Sequence, residues 1–269
     1  MKLLYIYRLA LLCFIPTCLS SCIETIEPDL DEFKPQIVIE ALVTNQDRPQ
    51  VVKVRKTRSF YSQQEQEYIS DALVVISDNA GNTDTLKHID KGQYESNFTG
   101  VVGRVYTLKV STSGTTYEAS SPMNPLTKID SLAYVYNDKE SFIKEIGYYV
   151  SLRAAEPQNT KDYYLWKFYR NGKLENGPED IVFIDDEMLS DNLNGIEAPY
   201  VFELGDTVRV EMFSLTEPAY KFYNSLNNNL NNEGGFFSSP PANPPSNINN
   251  GALGLFQVSA LEIAEVVIK

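Results

Sequence analysis

The side chains able to do chemistry are mostly carboxylates. Asp185-Asp186-Glu187 follows the apolar run Ile181 to Ile184, so a strand end could gather three acids for paired-acid hydrolysis or cation binding; a solvated strand end explains the same residues. Asp78, Asn82 and Asp84 have part of the character of a calcium loop, but Gly81 is misplaced for an EF-hand and a hairpin turn accounts for the segment equally well. Nucleophilic catalysis by Ser or Cys calls for a histidine, and the chain has one, His88, within a strand-like run. No Gly-x-Ser-x-Gly elbow occurs. One histidine and three cysteines, of which only Cys22 lies outside residues 1–21, give no set of three or four nitrogen and sulfur ligands for zinc. The expectation is therefore no catalytic residue, no metal and no cofactor. A net charge of -13 with no basic run argues against nucleic acid as a partner.

The N-terminus carries an address. Lys2 and Arg8 precede an apolar stretch, Leu9 to Leu19, that is too short to span a bilayer, so residues 1–21 read as a secretory signal. Leu19-Ser20-Ser21-Cys22 resembles the bacterial lipobox, which makes Cys22 the lipid-anchor residue and the first residue of the mature chain. Two or three acyl chains at about 0.8 kcal/mol per buried methylene hold a protein at a membrane essentially permanently. With Cys13 and Cys18 inside the signal, the mature chain has no partner for a disulfide. Residues 22–35 read as an acidic tether, similar to the acidic export tag of surface-exposed Bacteroidetes-type lipoproteins or simply a solvated linker.

From Gln36 onward, short β-rich runs alternate with turn residues, which predicts a mainly β fold. Residues 36–123 form the first domain. Ala72 to Gly81, then Gly92-Gln93-Tyr94, then Gly103 to Leu108 resemble a transthyretin-like or Ig-like β-sandwich. Pro122 to Pro125 marks a boundary, and residues 124–269 read as a second β-rich domain with one α-helix. That helix is predicted near residues 217–230, because Thr216 suits an N-cap and Phe222, Tyr223, Leu226 and Leu230 recur at helical spacing. Residues 231–250, rich in Asn, Pro, Gly and Ser, read as a loop unable to form a packed element on composition alone. Gly254 to Ser259 and Glu262 to Ile268 are expected as closing strands.

Aromatic residues supply the contact candidates. The run Tyr163-Tyr164-Leu165-Trp166-Lys167-Phe168-Tyr169 puts rings on both faces of one strand. One face should be core; the other serves either as core or as a platform for a sugar or a receptor. Phe236 and Phe237, adjacent in a Gly- and Pro-flanked loop, are the preferred candidates for contact with a partner.

The lipobox, the strand ending in Asp78-Asn79-Ala80-Gly81, Lys128 to Leu132, Tyr163 to Trp166, Ile184 to Glu187, Tyr220 to Tyr223 and Pro240 to Ile248 with Gly254-Leu255-Phe256 together carry a wider resemblance. They are similar to Bacteroidetes outer-membrane lipoproteins grouped as domain of unknown function 4249. The resemblance implies a lipid-anchored, non-enzymatic accessory protein of the outer membrane that assists a TonB-dependent receptor in nutrient capture or uptake. A surface adhesin or structural lipoprotein, and a carboxylate-based hydrolase, are the alternatives.

Overall fold

Alternation of apolar and polar residues, broken by residues that tolerate positive φ, builds almost every element of the chain. The computed structural model describes residues 34–59, 65–141, 144–155, 160–177, 180–188, 193–232, 234 and 242–269. The first strands are β1 (Ile37–Thr44), β2 (Gln50–Lys56), β3 (Leu73–Asp78), β4 (Thr83–Thr85), β5 (Lys87–Asp90), β6 (Gln93–Ser96), β7 (Val105–Thr112) and β8 (Thr115–Pro122). Then come β9 (Ile129–Asn137), β10 (Gly147–Ala154), β11 (Tyr163–Arg170), β12 (Lys173–Leu174), β13 (Val182–Asp185), β14 (Ile196–Glu197) and β15 (Thr207–Leu215). Helix α1 (Glu217–Leu230) leads to β16 (Leu253–Ser259) and β17 (Leu261–Val267). Three of the tight reversals, at Lys91-Gly92, Ser113-Gly114 and Asn171-Gly172, place both residues at positive φ, the geometry that matches the twist of a β-hairpin.

Four sheets result. One is ordered β16-β1-β2-β6-β5 and a second β4-β3-β7-β8; their inner faces share a core that includes Ile39, Val54, Tyr94, Leu108 and Phe256. A three-stranded sheet β14-β10-β9 shares another core with the sheet β12-β11-β15-β17, to which β13 adds beside β11. Leu152, Trp166, Phe168 and Met212 lie in that core. The mainly β, sandwich-rich architecture expected from the sequence is what the chain adopts, with α1 as its one α-helix among the described residues.

The C-terminal strands depart from the expected arrangement. β16 does not close the second sandwich: it runs parallel to β1, with Val38 opposite Leu253 and Thr44 opposite Ser259, and so completes a sheet of the first. After the buried Ala260 the chain enters the other sheet, where β17 pairs antiparallel with β15. The step is held by hydrogen bonds. Ser214 N–H donates to the Ala260 carbonyl and Ala260 N–H to Ser214 Oγ, both at 3.0 Å. Ser259 Oγ donates to the Ser214 carbonyl at 2.6 Å, and Leu261 N–H donates to Asn45 Oδ1 at 2.8 Å.

The end of the Asn/Pro-rich segment is packed, contrary to what its composition suggests. Ile248 and Ala252 are buried in the first core. Asn247 takes the place of a neighbouring strand, accepting from Phe256 N–H and donating to the Phe256 carbonyl. Asn249 Oδ1 accepts from Glu118 N–H, and Asn250 donates to the Thr116 carbonyl, so this stretch grips β8 as well. Amide side chains carry both a donor and an acceptor, which lets them satisfy backbone groups that a sheet edge leaves open.

Candidate functional site

The acidic triplet is committed to structure. Asp185 ends β13, and Asp186 to Met188 form a single 3-10 turn. Asp162 N–H donates to Asp186 Oδ2 at 2.6 Å, and burial raises the Asp186 carboxyl above the usual range despite that bond. Lys161 donates to Glu187 at 2.7 Å and lies 3.9 Å from Asp185; the Glu187 bond is the main cause holding the ammonium charged beyond its usual range. Each acid therefore has a local partner.

Asp78 is occupied in the same way. Its Oδ1 accepts from the backbone N–H groups of Ala80 and Asn82, and its Oδ2 accepts from the Asn82 amide and from Arg104 at 2.7 Å. The Asn82 side-chain bond, foremost, lowers its pKa to about 2. Asp84, rather than turning toward that loop, accepts from Ser96 Oγ. His88 sits exposed on β5 with its ring edge-on to Tyr94 at 5.2 Å. Among the described residues no three His, Cys, Asp or Glu side chains cluster as metal ligands do, and no helix is long and apolar enough to cross a membrane. Cys22, Phe236 and Phe237 lie outside the described residues.

The aromatic run on β11 is core on both faces. Tyr164, Trp166 and Phe168 enter the second sandwich, whereas Tyr163 and Leu165 pack with Phe213, Leu215, Leu255 and Ala219 of α1 in a third cluster. The platform reading of the second face gives way to packing because α1 and β16 cover it.

What the packing leaves open is a groove of about 780 Å³ between α1 and the outer face of the β16-β1-β2 layer. Register builds its floor. One cross-strand row is Leu253, Val38 and Arg55; the next is Leu255, Glu40 and Lys53. The third row runs through Gln257 and Leu42 to Val51. These residues are two apart along each strand, so they share a face while Ile39, Val54 and Phe256 point into the core.

Helix α1 supplies the wall. Thr216 Oγ1 accepts from Ala219 N–H at 3.5 Å, Pro218 fits the first turn, and Glu217 pairs with Lys221 one turn on at 2.6 Å. Tyr220 anchors that end by packing on Tyr163 and Phe183, with ring centroids 4.9 and 5.5 Å away. Further along, Phe222, Tyr223 and Leu226 face the groove, and Tyr223 donates to Gln257 Oε1 at 2.7 Å, tying the helix to the floor. Burial raises the Tyr223 phenol well above its ordinary range, so it stays protonated as this donor. Asn243 and Pro244 close the rim.

Three cations line this largely apolar space: Lys53, Arg55 and Lys167. Arg55 is paired with Glu40 at 2.6 Å. Lys53 and Lys167 have no hydrogen-bond acceptor or carboxylate partner among the described residues; the Lys167 ammonium rests instead over the Phe213 ring, 5.1 Å from its centroid. Burial lowers the pKa of Lys167, opposed by the nearby Glu211 charge and reinforced by Arg48. Nothing in the sequence pointed to this groove. The one trace visible in hindsight is Lys167, a cation in the middle of an aromatic strand.

Directly across the strands from Lys167 stands Glu211 on β15. Its side chain is 1% exposed, yet it is well supplied: Tyr169 donates to it at 3.0 Å, Arg48 is 3.4 Å away and Arg209 3.7 Å. The Arg209 guanidinium also stacks on the Tyr169 ring, 3.8 Å from its centroid. This cluster is an internal clasp between the β1-β2 turn and β15.

Comparison with curated proteins finds no match. Among solved structures, a two-domain fibronectin type III segment from chicken tenascin aligns at 10% identity over 67% of this chain and 91% of its own, with a TM-score of 0.22, an overlap too low to carry an argument. The match to a family is extensive: the family described as Domain of unknown function (DUF4249) covers residues 23–262. Since that span takes in every described strand from β1 to β16, α1 and the groove between them, the chain belongs to the DUF4249 family.

Proposed function

We propose that this protein is a lipid-anchored accessory protein of the outer membrane, tethered through Cys22, that assists a TonB-dependent receptor in nutrient capture or uptake. The observation that carries the reading is the juxtaposition of Leu19-Ser20-Ser21-Cys22 with a family match that begins at residue 23. A lipobox cysteine immediately before the family region supports an anchor as the first feature of the mature chain. The acidic residues that a hydrolase would need are spent on local partners, which favours a binding role over catalysis.

The mechanism is confinement. An acyl anchor holds the β-sandwiches in the membrane plane and raises their effective concentration at a receptor in the same membrane. Phe236 and Phe237 would supply the receptor contact, and the groove under α1 would face cargo.

Purification of the anchored protein from its native membrane in mild detergent, followed by mass spectrometry, tests this. A stoichiometric TonB-dependent receptor should accompany the protein, be lost with Cys22→Ala, and be depleted when Phe236 and Phe237 are both replaced by Ser in an anchored chain. Recovery of the lipidated protein alone would overturn the accessory reading and favour an adhesin or structural lipoprotein.

A further inference from the structure

Two amines without an acceptor among the described residues line this apolar trough, Lys53 exposed and Lys167 half-buried over the Phe213 ring, in a chain of net charge -13. A partly desolvated ammonium without an acceptor, as Lys167 is, costs free energy that an anion seated beside it would offset. The surrounding acids do not supply it. Glu40 is engaged by Arg55, and Glu211 is shared among Arg48, Arg209 and Tyr169. The groove volume of about 780 Å³ falls in the range of roughly 300–1,000 Å³ typical of small-molecule sites, which combine apolar walls with a few placed polar groups.

We propose that the groove between α1 and the β16-β1-β2 face binds an amphipathic monoanion, an aliphatic chain ending in a carboxylate, with the carboxylate at Lys167. The apolar body lies over Val38, Leu253 and Leu255, with Phe222 and Leu226 closing on it from the helix. A single ammonium resting on an aromatic ring matches a single negative charge; a phosphate dianion would call for more donors than this end of the groove offers. Lys53, exposed on β2, draws the anion toward the groove. An anion beside Lys167 also stabilises its charged form, so binding near neutral pH brings no loss of the ammonium proton.

The assignment is independent of any receptor, because every residue it uses belongs to this chain. Isothermal titration of the full chain carrying Cys22→Ala, purified without detergent, with sodium decanoate below its micellar concentration should show saturable binding at one per chain. Decyltrimethylammonium, with the same chain length and the opposite charge, should bind at least tenfold more weakly. Lys167→Met should weaken decanoate at least tenfold, and Lys53→Gln by a few-fold. Leu226→Glu, a change on a partly exposed helix position that leaves the core untouched, should abolish binding while the melting temperature stays close to that of the parent chain. Absence of saturable decanoate binding, equal affinity for the two amphiphiles, or unchanged affinity in both Lys167→Met and Leu226→Glu would overturn the proposal.

Discussion

Glu211 and Lys167 face each other in register on neighbouring strands, and the fold treats them in opposite ways. Glu211 is almost wholly buried and has two arginines at one carboxylate oxygen and a phenol donating to the other. Lys167 is flanked by a ring and by open volume. A buried charge that is fully bonded joins parts of a fold, whereas a half-buried one without an acceptor leaves room for a ligand to supply it. The chain that floors the groove as β16 continues into β17, which pairs with β15 beside Glu211, so one stretch of sequence borders both the open region and the closed polar one. Three substitutions break or sharpen that contrast.

Distorting β16 where it meets β1 should have the largest effect. Gly254 has φ +97°, and a Cβ there would run into the carbonyl oxygen of Ile39 on the parallel neighbour β1. Backbone strain of about 1–3 kcal/mol adds to overpacking of similar size, so Gly254→Ala should lower stability by about 4 kcal/mol in urea unfolding. Because β16 floors the groove and leads to the clasp, both regions should loosen together. Increased amide hydrogen exchange in β1 and in Leu261 to Ile263 would record this, and exchange confined to one of them would show that the two regions are built separately.

The clasp comes next. Glu211→Ala leaves Arg209 and the Tyr169 hydroxyl without their acceptor in a covered site and removes the link to Arg48 in the β1-β2 turn. Breaking one side of a buried ionic cluster costs about 3 kcal/mol. Double-mutant cycles with Arg48→Ala should show coupling smaller than that loss, since Arg48 is partly exposed and its contact is long at 3.4 Å. Coupling as large as the whole loss would mean that the turn, and not the Tyr169–Arg209 pair, is what Glu211 holds.

Much of the fold could be read before the structure, and the reasons differ by element. The alternation of β-rich runs with turn residues was legible because a local chemical rule, tolerance of positive φ at pairs such as Ser113-Gly114 and Asn171-Gly172, decides the hairpins. Helix α1 was legible because cap and periodicity agree. The parallel pairing of β16 with β1 was not: an apolar run reads the same whichever sheet it joins, and the partner lies more than two hundred residues away in sequence. Asn247, Asn249 and Asn250 read as loop composition, although their amides do the work of a strand edge. Nothing local to Glu211 marks it as buried, and only tertiary packing shows that it is covered. The groove was hidden for the same reason, since Lys167 becomes unusual only once α1 is laid over its strand.

The smallest effect is also the one with opposite sign. Lys167→Met removes a partly desolvated ammonium that has no acceptor within the described chain and replaces it with an apolar side chain of similar reach, so the ligand-free protein should gain about 1 kcal/mol. The gain should depend on pH in a defined direction. Burial depresses the Lys167 pKa below its ordinary 10.5, with Arg48 adding to the shift and Glu211 opposing it. Well below the folded-state value the amine is charged in both folded and unfolded chains, and the desolvation cost is borne in full. As pH rises through that value the folded chain releases its proton first and the cost is relieved; above 10.5 both states are neutral. The stability difference between Lys167→Met and the parent chain should therefore be largest near neutral pH and shrink as pH approaches 10.5. A series of urea unfolding curves for both proteins, compared as a difference to cancel the tyrosines that titrate in the same range, measures it. A difference that grows with pH would mean that Lys167 is stabilised by an acid in the free protein, and would make the amine part of the clasp instead of the groove.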